Sequence, residues 1–115
     1  MPRKWIKLYC YERLHGSVSY QLSESEQSIW DKLLCLAGLS KYEGLISDND
    51  RHAYPHSFII HELHTIEKLF EATLVKCKDE GRITEDEQGI HISNWGRYQS
   101  EYQRQQKYRQ QKSTP

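Results

Sequence analysis

The chain has 115 residues, with 16 Lys plus Arg balanced by 16 Asp plus Glu and 37% apolar residues. That is one domain's length, and no apolar run approaches the ~18 residues of a membrane-crossing helix, so no membrane partner is expected. Taken as a total, a net charge of zero argues against a nucleic-acid binder, whose usual footprint is a basic excess.

In chain order, residues 5–14 place Trp5, Leu8, Tyr9 and Leu14 at spacings that fit a short helix, with Gly16 as a left-handed C-terminal cap, while the alternation of Trp5 and Lys7 against Ile6 and Leu8 also fits a strand. Residues 17–20 read as an extended connector. Ser23 followed by Glu26 is a capping box, in which hydroxyl and carboxylate satisfy free amides reciprocally. Ile29, Trp30, Leu33, Leu34, Leu36 and Ala37 then recur at helical spacing up to Gly38, which predicts a central helix over 23–38 carrying Cys35 as a buried small hydrophobe.

A polar connector follows, in which Gly44-Leu45-Ile46 reads as a short strand. Pro55 precedes a second helix, Ser57 to His64, with Phe58, Ile59 and Leu63 facing inward. A third helix runs from Ile66 to Glu80, with Thr65 as N-cap and Ile66, Leu69, Phe70, Thr73, Leu74 and Cys77 inward. Gly81 stops it. Arg82-Ile83-Thr84 and Ile90-His91-Ile92 flank the polar turn Glu85 to Gly89, which predicts a hairpin. From Trp95 onward Trp95, Tyr98 and Tyr102 form one aromatic stripe, after which the chain is mostly Gln, Arg, Lys and Tyr. The expected fold class is mainly α with a small β-hairpin. The order of elements is that of a winged helix-turn-helix. Residues 1–96 form that domain with an N-terminal extension, and residues 97–115 form a basic, Gln- and Tyr-rich tail, helical or disordered.

The neutral total hides a segregation. Residues 1–19 carry four basic side chains against one acid, residues 20–96 carry seven against fourteen, and residues 97–115 carry five against one. An acidic body lies between two basic ends, and the ends are what a phosphate backbone would attract.

Five stretches carry a resemblance: Trp5-Ile-Lys-Leu, Trp30-Asp-Lys-Leu-Leu-Cys-Leu-Ala-Gly38, Gly44-Leu-Ile46, Cys77-Lys-Asp-Glu-Gly-Arg-Ile83 and Gly89-Ile-His-Ile-Ser-Asn-Trp-Gly-Arg-Tyr-Gln99. Over roughly residues 4–100 the chain resembles the N-terminal domain of phage replisome organisers, which is similar to the winged-helix module of DnaD-type primosomal proteins. The Asn-Trp-x-x-Tyr-Gln element is the most distinctive part. The resemblance implies replication initiation, with origin DNA binding and recruitment of the helicase-loading machinery. Members of that family carry a further C-terminal domain, so helicase contacts borne by it do not carry over.

In the winged-helix geometry the helix before the hairpin enters the major groove. On a helical wheel its outward face holds Glu67, Lys68, Glu71, Val75, Lys78 and Asp79. Two lysines against three acids, with no Arg, Asn or Gln for base edges, make a poor groove reader. The wing tip Glu85-Asp86-Glu87 would repel phosphate, and its carboxylates are expected to stay ionised and idle. The expected DNA contacts are therefore Lys68 and Lys78 with Arg97, Arg104, Lys107, Arg109 and Lys112, while Tyr102 and Tyr108 offer faces for unpaired bases. Binding is expected to be sequence-tolerant and salt-dependent, and carried largely by the tail.

His52, His56, His61 and His64 crowd together, but His61-Glu62-Leu63-His64 has i, i+3 spacing, not the i, i+4 of zinc proteases. Cys10, Cys35 and Cys77 form no CxxC and no even framework. No Gly-rich phosphate loop, GxSxG or triad occurs. The expectation is a non-enzyme without metal or cofactor. The expected partners are DNA, duplex or single-stranded, a second copy of the chain, and a helicase or helicase loader. Met1 to Lys7 lacks an apolar signal core, so the expected compartment is the cytoplasm. The alternative functions are a protein-interaction or oligomerisation module on the same scaffold, with Val75 and the acidic helix face at the contact, and a transcriptional regulator.

Overall fold

The computed structural model describes residues 3–99. An irregular arm leads into α1 (Cys10–His15), α2 (Ser17–Gln21), α3 (Glu24–Leu39), β1 (Leu45–Ile46), α4 (His56–Leu63), α5 (Glu67–Asp79), β2 (Ile83–Asp86), β3 (Gly89–Ile92) and α6 (Trp95–Gln99). The architecture is mainly helical with one small antiparallel sheet, in the order β1-β3-β2. None of these helices is long and apolar enough to cross a membrane.

The capping box forms as expected. The Glu26 amide donates to Ser23 Oγ at 3.2 Å, and the Ser23 amide donates to Glu26 Oε1 at 2.8 Å. From this start α3 buries Ile29, Trp30, Leu33 and Ala37 on one face. Against it pack Ile59 and Leu63 of α4 and Phe70, Leu74 and Cys77 of α5. Each such side chain removed from water contributes about 1.5–3 kcal/mol, so this three-helix contact anchors the domain.

β3 is the central strand. It pairs with β1 through Leu45↔His91 and Ile46↔Ile90, and with β2 from Ile83↔Ile92 to Asp86↔Gly89. Ile83, Ile90 and Ile92 face the helices, which closes the core. Gly89 has φ +135°, and a Cβ there would run into the Ile46 carbonyl oxygen. Only glycine lets β1 lie this close to β3.

Several expectations are corrected. Residues 5–9 are not helical, and residues 17–20 lie in α2 rather than in an extended connector. Gly16 caps α1 with φ −85°, not in the left-handed region, and its amide donates to the Glu12 carbonyl at 2.7 Å. α3 continues past Gly38, which packs against Ile6, and ends at Leu39. Cys35 is exposed because it points away from the buried face of α3. Phe58 and Ile66 are exposed as well. Thr65 does not cap α5, because His64 turns the chain in the left-handed region and Ile66 becomes the N-cap without a side-chain bond. The hairpin turn is only Glu87-Gln88, which leaves Glu85 and Asp86 in β2.

Candidate nucleic-acid interface

The sequence places positive charge at both ends of the chain, and the fold joins the described parts of those ends. Gln99 is buried at the end of α6. The Lys7 amide donates to Gln99 Oε1 at 2.8 Å, and Gln99 Nε2 donates back to the Lys7 carbonyl at 3.2 Å. Arg3 Nη2 donates to the Gln99 carbonyl at 3.3 Å, and the Tyr9 hydroxyl donates to the Tyr98 carbonyl. The Tyr9 and Tyr98 rings meet edge-on, centroids 5.9 Å apart. Lys4 and Arg97, both exposed, thus belong to two segments fastened side by side.

Residues 97–99, which the sequence assigns to the tail, complete α6 and contribute Gln99 to the folded body. Arg104, Lys107, Arg109 and Lys112 lie outside the described residues, as do Tyr102 and Tyr108.

Between arm and body lies a cleft of about 470 Å³. Its walls include Tyr9, Arg13, Trp30, Arg82, Trp95 and Tyr98. The two arginines hold the walls in place. Arg13 donates through Nε and Nη2 to both Asp31 oxygens at 3.2 and 3.0 Å, and Arg82 Nη2 donates to Ser17 Oγ and Gln21 Oε1 at 3.0 and 2.6 Å. A fork on a carboxylate gives geometric definition as well as attraction.

The two lysines expected on α5 are not equivalent. Lys68 is exposed, whereas Lys78 pairs with Glu85 Oε1 at 2.7 Å and its charge is internally balanced. Glu85 is no idle turn carboxylate. Its other oxygen lies 2.6 Å from His56 Nε2, and His56 Nδ1 lies 2.6 Å from Glu71 Oε1. An imidazolium can donate from both nitrogens, so two carboxyl groups at these positions favour the charged form of the ring. Burial pulls the His56 pKa down, but the bonds to Glu85 and Glu71 outweigh it and raise it above the ordinary 6.5. For Glu85, burial pulls upward and the bonds from His56 and Lys78 prevail, which lowers it below 4.5. The bridge ties α4, α5 and β2 together. His56 and Glu85 lie 29 positions apart, a pairing that no local pattern announces.

Among the described residues one cluster has the side chains to hold a cation. Asp48, Asp50 and His52 bring ligand atoms within 4.8 Å of one another. Asp48 Oδ1 already accepts from the amides of Asp50 and His52 at 2.8 and 2.9 Å, which accounts for the loop. Burial pushes the Cys77 thiol up to about 11, so it stays protonated in the core at neutral pH.

Comparison with family models, with curated proteins and with solved structures gives no match.

Proposed function

We propose that this chain is a non-catalytic DNA-binding module of the replisome-organiser type, built on a winged helix-turn-helix. The order α3-β1-α4-α5-β2-β3 and the β1-β3-β2 sheet support that scaffold. The observation that carries the function is the fastening of the two basic ends by Gln99 and Lys7. It sets the segment that carries exposed Lys4 beside the segment that carries exposed Arg97, two cations far apart in sequence.

Phosphate contact is assigned to that edge, with Lys4 and Arg97 and the basic residues 104–112 that follow in sequence, rather than to α5. Once Lys76, Lys78 and Glu71 are taken up by pairs with Glu26, Glu85 and His56, the unpaired exposed charge on α5 is Lys68 against Glu67 and Asp79. With Val75 exposed on the same helix and Ile66 exposed at its N-cap, α5 suits a protein partner such as a helicase or its loader better than a groove.

Fluorescence anisotropy with labelled random DNA, across a salt series, tests the reading. Four or five neutralised phosphates give a log–log salt slope of about −4 on duplex. Deleting residues 101–115 keeps Gln99 and so keeps the edge assembled, and it should remove most of the affinity. No binding even at low salt overturns the proposal.

A further inference from the structure

The arm carries a feature that the fold does not use. α1 and α2 bury none of their residues. Trp5, Tyr11 and Tyr20 are 64, 77 and 78% exposed, and Leu8 and Leu14 are exposed beside them. Scattered exposed apolar residues are ordinary, but five large ones within sixteen positions mark a contact surface. The arm is nevertheless held in place. Ile6 packs on Gly38, Arg13 grips Asp31, Arg82 reaches Ser17 and Gln21, and Gln99 holds Lys7. These contacts position the segment while Trp5, Tyr11 and Tyr20 stay off the core, the Tyr11 ring lying beside that of His15 with centroids 5.0 Å apart.

We propose that this arm is a stacking platform for single-stranded nucleic acid, with bases lying on Trp5, Tyr11 and Tyr20 and phosphates on Lys4 and Arg97. The inference rests on the DNA-binding reading above and names its substrate class. Charge selects the occupant. Arg3 and Arg13 are taken up by Glu43 and Asp31, but Lys4 is exposed on the arm and Arg97 is exposed on the segment fastened to it. Aromatic faces interleaved with cations are how sequence-tolerant single-strand binders work, because every base has a π-face. In a duplex those faces are already stacked, so the platform discriminates against it.

The three tryptophans provide the readout. Trp5 is the exposed tryptophan, whereas Trp30 and Trp95 are each only 9% exposed in the cleft walls, so an emission change that Trp5→Ala abolishes reports Trp5. Titrating the full chain with a short dT oligonucleotide should quench that emission. Trp5→Ala should weaken dT binding about tenfold, since one base–aromatic stack is worth roughly that factor, and should leave duplex affinity unchanged. Tyr11→Ala, followed by anisotropy, should act in the same direction. These side chains are exposed, so the variants should melt with the parent. Duplex binding retained with no dT quenching and no effect of Trp5→Ala overturns the platform while leaving the DNA-binding reading intact. Absence of binding to both nucleic acids sinks the two together. A concentration-dependent emission shift without DNA, with dT inert, shows a second copy on the arm and also overturns the platform.

Discussion

Gln99 and Lys7 exchange two hydrogen bonds across 92 positions of sequence, the amide of one residue being matched to the backbone of the other. Gln99 is buried, so its replacement leaves the Lys7 amide and carbonyl without these bonds. Gln99→Leu should cost about 1–3 kcal/mol, or roughly 4–8 °C of melting temperature per kcal/mol in a domain of this size. The loss should be accompanied by faster hydrogen exchange at the Lys7 amide. A variant that melts with the parent and keeps that amide protected contradicts the latch.

His56 makes stability depend on pH. Its pKa is raised on folding, so its contribution is complete below the ordinary value of 6.5 and is lost as pH rises through the folded value. Glu85 works in the opposite sense: its pKa is lowered, so its contribution is present above 4.5 and disappears as pH falls through the folded value. The bridge is therefore strongest between about 4.5 and 6.5. Urea midpoints should decline from pH 6 to pH 8, and His56→Gln should flatten that decline. An equally steep decline in the variant would assign it to other groups.

Gly89 and Gly81 both have positive φ, +135° and +75°, but they differ in surroundings. A side chain at Gly81 meets open space, whereas at Gly89 it meets the Ile46 carbonyl. Gly81→Ala should cost only the left-handed strain, about 1–2 kcal/mol. Gly89→Ala adds a steric conflict that parts β1 from β3, and it should lose at least about 2 kcal/mol with exchange protection at Ile46 and Ile90. Equal losses at the two positions would rule out the close approach of the strands as the cause.

The body of the fold is legible where local pattern and burial coincide. The Ser23 box, the α3 stripe, the Leu45-Ile46 strand and the apolar face of α5 all follow from spacing, because each packs on the same core. The arm is only partly legible for the converse reason. The helix expected over 5–14 overlaps α1 and stops at Gly16, but it starts too early and α2 goes unannounced, because neither helix buries a face that would fix its bounds. The residues expected to contact DNA divide in the same way. Lys78 looked free on a helical wheel, which cannot see Glu85 on a different strand. Gln99 had one available signal, its place at the end of the Asn94-Trp95-x-x-Tyr98-Gln99 element, but that signal does not identify Lys7 as its partner.

Glu26 combines two duties, and its variants should separate them. It completes the capping box with Ser23, and Oε1 also receives Lys76 Nζ at 2.9 Å. Ser23→Ala removes the acceptor for the Glu26 amide and should cost about 1 kcal/mol. Glu26→Gln keeps an oxygen for the Ser23 amide but loses the charge that faces Lys76. Lys76 is half exposed, so solvent screens the pair and about 1 kcal/mol is expected at neutral pH. The bonds from Ser23 and Lys76 hold the Glu26 pKa below 4.5 against the opposing pull of burial. Its charge therefore adds stability above that value, and the contribution fades as pH falls through the folded pKa. The gap between parent and Glu26→Gln should accordingly close in acid, whereas the gap for Ser23→Ala should narrow less, because the hydroxyl does not titrate. Denaturant midpoints at pH 7 and pH 3 for the three proteins decide it: parallel pH curves for parent and Glu26→Gln would mean that the carboxylate acts as a neutral cap and its pairing with Lys76 adds nothing.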